Sequence, residues 1–157
     1  MQRTSFRDMG CAIAQCLDVV GEWWSLLIIR DVFLGYTRFD DIHGRLGISR
    51  NVLNQRLARL VEEGVLEKVP YQDNPPRSDY RLTEKGEDLW RVLGAMRAWG
   101  RKWGAPEAMA TGEQYDTLHA ACGTPVVGQT ICPSCEHPVT RADVEYVRAP
   151  SPLSRQT

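Results

Sequence analysis

Ile48-Ser49-Arg50-Asn51-Val52-Leu53-Asn54-Gln55-Arg56-Leu57-Ala58-Arg59-Leu60-Val61 reads as one amphipathic helix. At helical periodicity Val52, Leu53, Leu57, Leu60 and Val61 gather on one side, and Asn51, Asn54, Gln55, Ala58 and Arg59 on the other. The wider window from Ile42 to Val61 holds four arginines (Arg45, Arg50, Arg56, Arg59) and no Asp or Glu, in a chain whose net charge is -1. An ordinary solvated face mixes Glu with Lys. A face of amides with arginines at its margins suits a DNA major groove instead. Asn and Gln bond adenine in a bidentate fashion, Arg does the same to guanine, and flanking arginines reach phosphates. The plainer alternative is a surface helix with an arginine bias.

Outward from this segment, Ser49 is a natural N-cap and Gly64 closes the helix behind Glu62-Glu63. A preceding helix spaced by Phe39, Ile42 and Leu46 ends at Gly47, so little more than Gly47-Ile48 joins the two, the length of a helix-turn-helix connection. Thr37-Arg38-Phe39 is a short extended lead-in. Further upstream, Cys11–Val20 forms a first helix. Gly21-Glu22 interrupts it before a second from about Trp23 to Phe33, with Trp24, Leu27, Ile28 and Val32 on its core side. Downstream, Val65–Tyr71 and Asp79–Leu82 alternate like strands around a polar tip with two prolines, a β-hairpin whose Pro70 belongs on an edge. A hairpin directly after a helix-turn-helix makes a winged helix. The tip Gln72–Arg77 then places Arg77 where it reaches a minor groove or a phosphate. Arg38, and Ser49 at the helix N-terminus, are further phosphate contacts by position.

A chain of 157 residues, 43% of them hydrophobic, supports one main core and at most a small second one. Its longest apolar run, Trp23–Ile29, is far short of the ~20 residues of a membrane span, and no signal-peptide core opens the chain. The expectation is a cytoplasmic protein. Up to Gly104 there are 16 Lys/Arg against 14 Asp/Glu; beyond it, 3 against 6. The tail is therefore a poor nucleic-acid surface, whereas the first part can hold a basic patch.

Thr83-Glu84 opens a long fifth helix to about Trp103, with Leu89, Leu93, Met96, Gly100 and Trp103 in one stripe and Trp90 and Trp99 beside it. That is more apolar surface than a small domain covers, which points to a subunit interface and a homodimer; lying across its own domain is the alternative. After Ala105 come Pro, Gly and short β-prone pieces. Five cysteines, an odd number, fit a reducing compartment. His119-x2-Cys122-x9-Cys132-x2-Cys135 offers four ligands for a structural zinc, with His137 as an alternative fourth ligand and plain reduced or redox-active thiols as the competing reading. The organisation expected is an N-terminal arm (1–10), a winged-helix and dimerisation domain (11–104), a β-rich Cys/His appendage (105–148) and a disordered tail (149–157). The fold class is mainly α with a small β-hairpin.

Several linked motifs together resemble the HxlR-type family of bacterial transcriptional regulators. They are Cys11 with Leu17–Arg30, Gly35–Ile42, Ile48–Leu53, Arg56–Leu60, Glu63–Leu66 and Tyr80–Gly86, in order across Cys11 to Gly104. The resemblance implies a dimeric winged helix on a pseudo-palindromic operator, with the first and fifth helices in the dimer interface; of the two senses of regulation, repression is the one expected and activation the alternative. It also implies a role for Cys11, the position at which some members sense oxidants, quinones or aldehydes; a small residue packing the first helix is the plainer alternative. A small-molecule or oxidant effector is thus an open partner. DNA binding itself requires no cofactor.

The expected DNA contacts are Arg38, Ser49, Arg50, Asn51, Asn54, Gln55, Arg56, Arg59 and Arg77. Asn51, Gln55 and Arg59 face outward to read bases, while Arg45, Arg50 and Arg56 hold the backbone. No enzyme motif is present: there is no phosphate-cradling Gly loop and no Ser/His/Asp pattern. A winged-helix protein-interaction module with a zinc appendage is the competing class, disfavoured because a protein-binding face has no reason to exclude acids.

Overall fold

A computed structural model describes residues 5–105, 131 and 134–137. The chain divides into two compact units, Met1–Trp103 and Gly104–Thr157. In the first, the order is α1 (Ala12–Val20), α2 (Ser25–Phe33), α3 (Phe39–Leu46), α4 (Arg50–Glu62), β1 (Leu66–Asp73), β2 (Pro76–Leu82), α5 (Glu84–Glu87) and α6 (Trp90–Trp103). This is a mainly helical winged helix-turn-helix.

Each boundary around α4 has a local cause. Gly47 sits at φ +64° and turns the chain out of α3, its N–H donating to His43 O. Ser49 then caps α4, its hydroxyl accepting from the Val52 N–H at 3.3 Å. At the other end Gly64, at φ +67°, completes a left-handed cap: the Val65 N–H reaches Leu60 O and the Gly64 N–H reaches Val61 O. Thr83 ties the next turn back to this cap, donating its hydroxyl to Gly64 O at 2.6 Å.

β1 and β2 pair antiparallel from Leu66↔Leu82 to Asp73↔Pro76, with a bulge between Pro70 and Gln72 that leaves Tyr71 outside the register. The other side of β2 carries a bridge, Arg38↔Asp79, and the Tyr80 N–H donates to Thr37 O at 2.7 Å. Pro70 therefore lies on the outer strand, as its missing N–H requires.

The core joins Val20, Ile28, Ile29, Val32, Ile42, Ile48, Leu53, Leu57, Leu60, Val65, Leu66 and Tyr80. In α2 it is Ile28, Ile29 and Val32 that are buried; Trp24 and Leu27 are half-covered, and Trp23 stands outside the helix, almost wholly exposed. The expected single fifth helix is two. The Leu89 N–H bonds Gly86 O, three residues back, and the helix restarts at Trp90. Gly86 packs against the residue that precedes β1: a Cβ there would stand 2.2 Å from Val65 O, so only glycine allows the approach.

Among the described residues no single helix is long and apolar enough to cross a membrane. Of the second unit, Ser134 and Cys135 form a turn and Cys135 is exposed. His119, Cys122 and Cys132 lie outside the described residues, as does the 149–157 tail.

Candidate nucleic-acid interface

The exposed side of α4 is narrower than its helical wheel. Asn51, Asn54, Gln55 and Ala58 are exposed, Leu53, Leu57 and Leu60 are buried, and Arg56 and Arg59 fall between. The outward strip is thus neutral and amide-bearing, and its first turn holds no acid. The Val52 N–H of the first turn is taken by Ser49, and the strip itself offers side-chain amides of the kind that bond base edges.

The arginines of the acid-free window are each drawn into an ion pair in the structure. Arg59, expected to read bases, turns back along its own helix. It pairs with Glu62 at 2.9 Å, with Glu63, and with Asp18 of α1 at 3.7 Å, and its side chain is 24% exposed. Arg56, expected at the DNA backbone, pairs with Glu22 at 3.0 Å between helices. Arg45 lies over the Tyr36 ring at 3.9 Å and 3.5 Å from the fully buried Asp31, which also takes two hydrogen bonds from Arg30. A buried carboxylate demands a cation close by, and Arg59 at Asp18 and Arg45 at Asp31 meet that demand, while Arg56 pairs with the partly exposed Glu22. The excess of positive charge in the window is largely neutralised from outside it.

Arg50 stays at the surface. It reaches Asp40 of α3 at 2.8 Å, both side chains being well exposed, and lies over the Phe39 ring. Such a pair in water is weak and exchangeable. Arg38 lies over Tyr71 at 4.9 Å and 3.7 Å from Asp79, so it links the lead-in of α3 to the wing while keeping most of its side chain in solvent. Arg77 is exposed on β2 beside the tip and makes no ion pair among the described residues.

Sequence reading missed Arg7, Asp18, Glu22 and Glu63, the partners of the arginines. Arg7 pairs with Asp18 at 3.2 Å and with Glu63, and these contacts, Glu63 first, raise its already high pKa. Nothing local marks these residues, because each pairs across elements.

Apolar groups are unevenly spent. α6 has no buried residue and exposes Trp90, Val92, Met96, Trp99 and Trp103; α1 exposes Ile13 and Leu17. Cys11 is the exposed N-cap of α1.

The described architecture has close counterparts. Residues 19–108 match the family model for the HxlR-like helix-turn-helix. A relative named an uncharacterized HTH-type transcriptional regulator, from Mycobacterium tuberculosis H37Rv, is 38% identical over 141 residues, 89% of this chain and 87% of its own. The crystal structure of PA1607, a candidate transcription factor, superposes with TM-score 0.79 at 36% identity, covering 93% of this chain and all of the other. The reduced form of the transcriptional regulator YodB from B. subtilis superposes with TM-score 0.52 at 31% identity, over 62% of this chain and 98% of its own.

Proposed function

The chain belongs to the HxlR-like helix-turn-helix family and is a transcriptional regulator of the helix-turn-helix type, and on that premise we propose that it represses transcription as a homodimer on a pseudo-palindromic operator. The observation that carries the reading is the neutral strip of α4, open to solvent and flanked by the wing. Asn51, Asn54 and Gln55 read base edges in the major groove. Ser49, the N–H groups of the first turn, and Arg50, once released from Asp40, hold phosphates. Arg77 meets a phosphate or the minor groove beside the wing tip, and Arg38 a phosphate near it. Arg56 and Arg59 are assigned to holding the helix instead.

The dimer rests on α6. Five large apolar side chains left exposed on one helix need a cover, and a second copy supplies an equal and complementary one across a two-fold axis. Two-fold symmetry in the protein matches a palindromic site. Trp99→Glu is expected to weaken self-association at least tenfold, equivalent to ~1.4 kcal/mol, in sedimentation experiments. An unchanged dimer would contradict the interface.

Duplex binding is the direct test. With about six phosphate contacts per dimer, affinity falls roughly a thousandfold between about 50 and 200 mM salt. Binding that ignores salt, or no binding, contradicts the reading. Cys11, a free and exposed thiol at the N-cap of α1, is the proposed sensor of an oxidant or electrophile. Cys11→Ser should then leave DNA binding intact and abolish its loss on oxidation. His119, Cys122, Cys132 and Cys135 form a Cys3His donor set of the kind structural zinc uses. Close to one equivalent of zinc in protein purified without added metal is expected; well below one in folded, reduced protein contradicts it.

A further inference from the structure

The ion-pair network that absorbs Arg59 also joins three parts of the molecule that the sequence keeps far apart. Asp18, only 3% exposed, receives the Phe6 N–H at 2.9 Å, the Ser5 hydroxyl and Arg7 Nε at 3.2 Å, and stands 3.7 Å from Arg59 Nη2. Glu63, at the end of α4, takes both Arg7 and Arg59. The arm is itself shaped for this. Gln15 Nε2 lies within 3.1 Å of the carbonyls of Phe6, Arg7 and Met9, and the Cys11 N–H closes on Met9 O. Two carboxylates and two guanidiniums thus lock arm, α1 and the C-terminal end of α4 together. Asp18 and Glu63 are well covered, so drift of either guanidinium away from them leaves a desolvated carboxylate uncompensated, although Arg7 itself stays mostly in solvent.

We infer that Arg7, Asp18, Glu63 and Arg59 are positioning residues that set the angle of each recognition helix to the dimer axis, and so the half-site spacing the dimer accepts. The inference rests on the dimeric, DNA-binding reading above. The family resemblance adds α1 to that dimer interface, where its exposed Ile13 and Leu17 would lie, and the reading puts α4 in the groove. The covalent route between them runs through α2, α3 and their turns, whereas the network is a direct strut. A dimer reads two half-sites only when its helices stand at the matching separation, and one added base pair changes both distance and rotation. Loosening the strut leaves each half-site contact intact but lets the two helices adjust independently.

The experiment uses the full chain and a duplex enriched by the wild-type protein from a random pool. Affinity is measured for that duplex, for the same duplex with one base pair inserted at its centre, and for a single half-site. Wild type should lose about tenfold or more on the insertion, comparable to a mismatched base pair. Asp18→Asn and Arg7→Ala should each reduce that penalty to under about threefold, Arg7→Lys should largely restore it, and half-site affinity should stay as in wild type. Arg7→Ala changes a mostly exposed side chain and so provides a folded variant if Asp18→Asn does not fold. Folded variants that keep the full wild-type penalty overturn the strut. Variants whose half-site affinity falls as much as their affinity for the whole site also overturn it, by making Arg7 a direct contact. A wild type that enriches no symmetric site overturns the dimeric reading instead.

Discussion

Two strips of α4 carry polar side chains, and they have opposite fates. Asn51, Asn54 and Gln55 stand in solvent, whereas Arg56 and Arg59, one or a few residues away, bend back to Glu22, Asp18 and Glu63. The difference teaches that positive charge in the sequence of a helix is not by itself a basic outer face. Guanidiniums cost much to desolvate and find acids wherever the fold offers them, while neutral amides lose little by remaining in water.

The comparison can be broken first at its foundation, the third strip. Leu57, 1% exposed, anchors α4, and Leu57→Ala should cost ~2–5 kcal/mol in urea unfolding. A loss below ~1 kcal/mol would mean the helix is held mainly by its ion pairs. Next, the two polar strips should separate in the same assay. Arg59→Ala leaves Asp18 and Glu63 with one fewer cation and should cost about 1–3 kcal/mol, whereas Asn54→Ala or Gln55→Ala should stay within roughly 0.5 kcal/mol. Equal costs would erase the distinction. The smallest effect is a pH signature on the buried side. Burial raises the Tyr80 pKa, so the neutral phenol's contribution is fully present below the unfolded value of about 10 and is lost as pH climbs through the higher folded value. Tyr80→Phe should therefore flatten the alkaline decline in stability, and an unchanged slope would place that decline elsewhere.

Much of the fold was legible because its signals are local. Gly47, Ser49 and Gly64 mark the turn and both ends of α4 through caps made within a few residues, and Pro70 announces an outer strand. The interruption between α5 and α6 was not legible, since Gly86 is required by Val65 O across the fold and not by its neighbours. The exposure of the amides was legible in the helical spacing, and the ion pairs of Arg56 and Arg59 were not, for the same reason. Arg7 meets Glu63 across 56 positions of sequence, and a charge count over one window cannot see acids that arrive from elsewhere. The resemblance to a family supplied the architecture but not this redistribution of charge.

The central claim is that the neutral strip reads sequence while the arginine strip holds the helix. Its most direct test is the affinity ratio between the duplex enriched by wild-type protein and a scrambled duplex of equal length, measured for Asn51→Ala/Asn54→Ala/Gln55→Ala. The ratio should collapse toward one, with affinity for the scrambled duplex unchanged and stability within about 1 kcal/mol of wild type. A triple variant that keeps the wild-type ratio would contradict the account and return sequence reading to another part of the molecule.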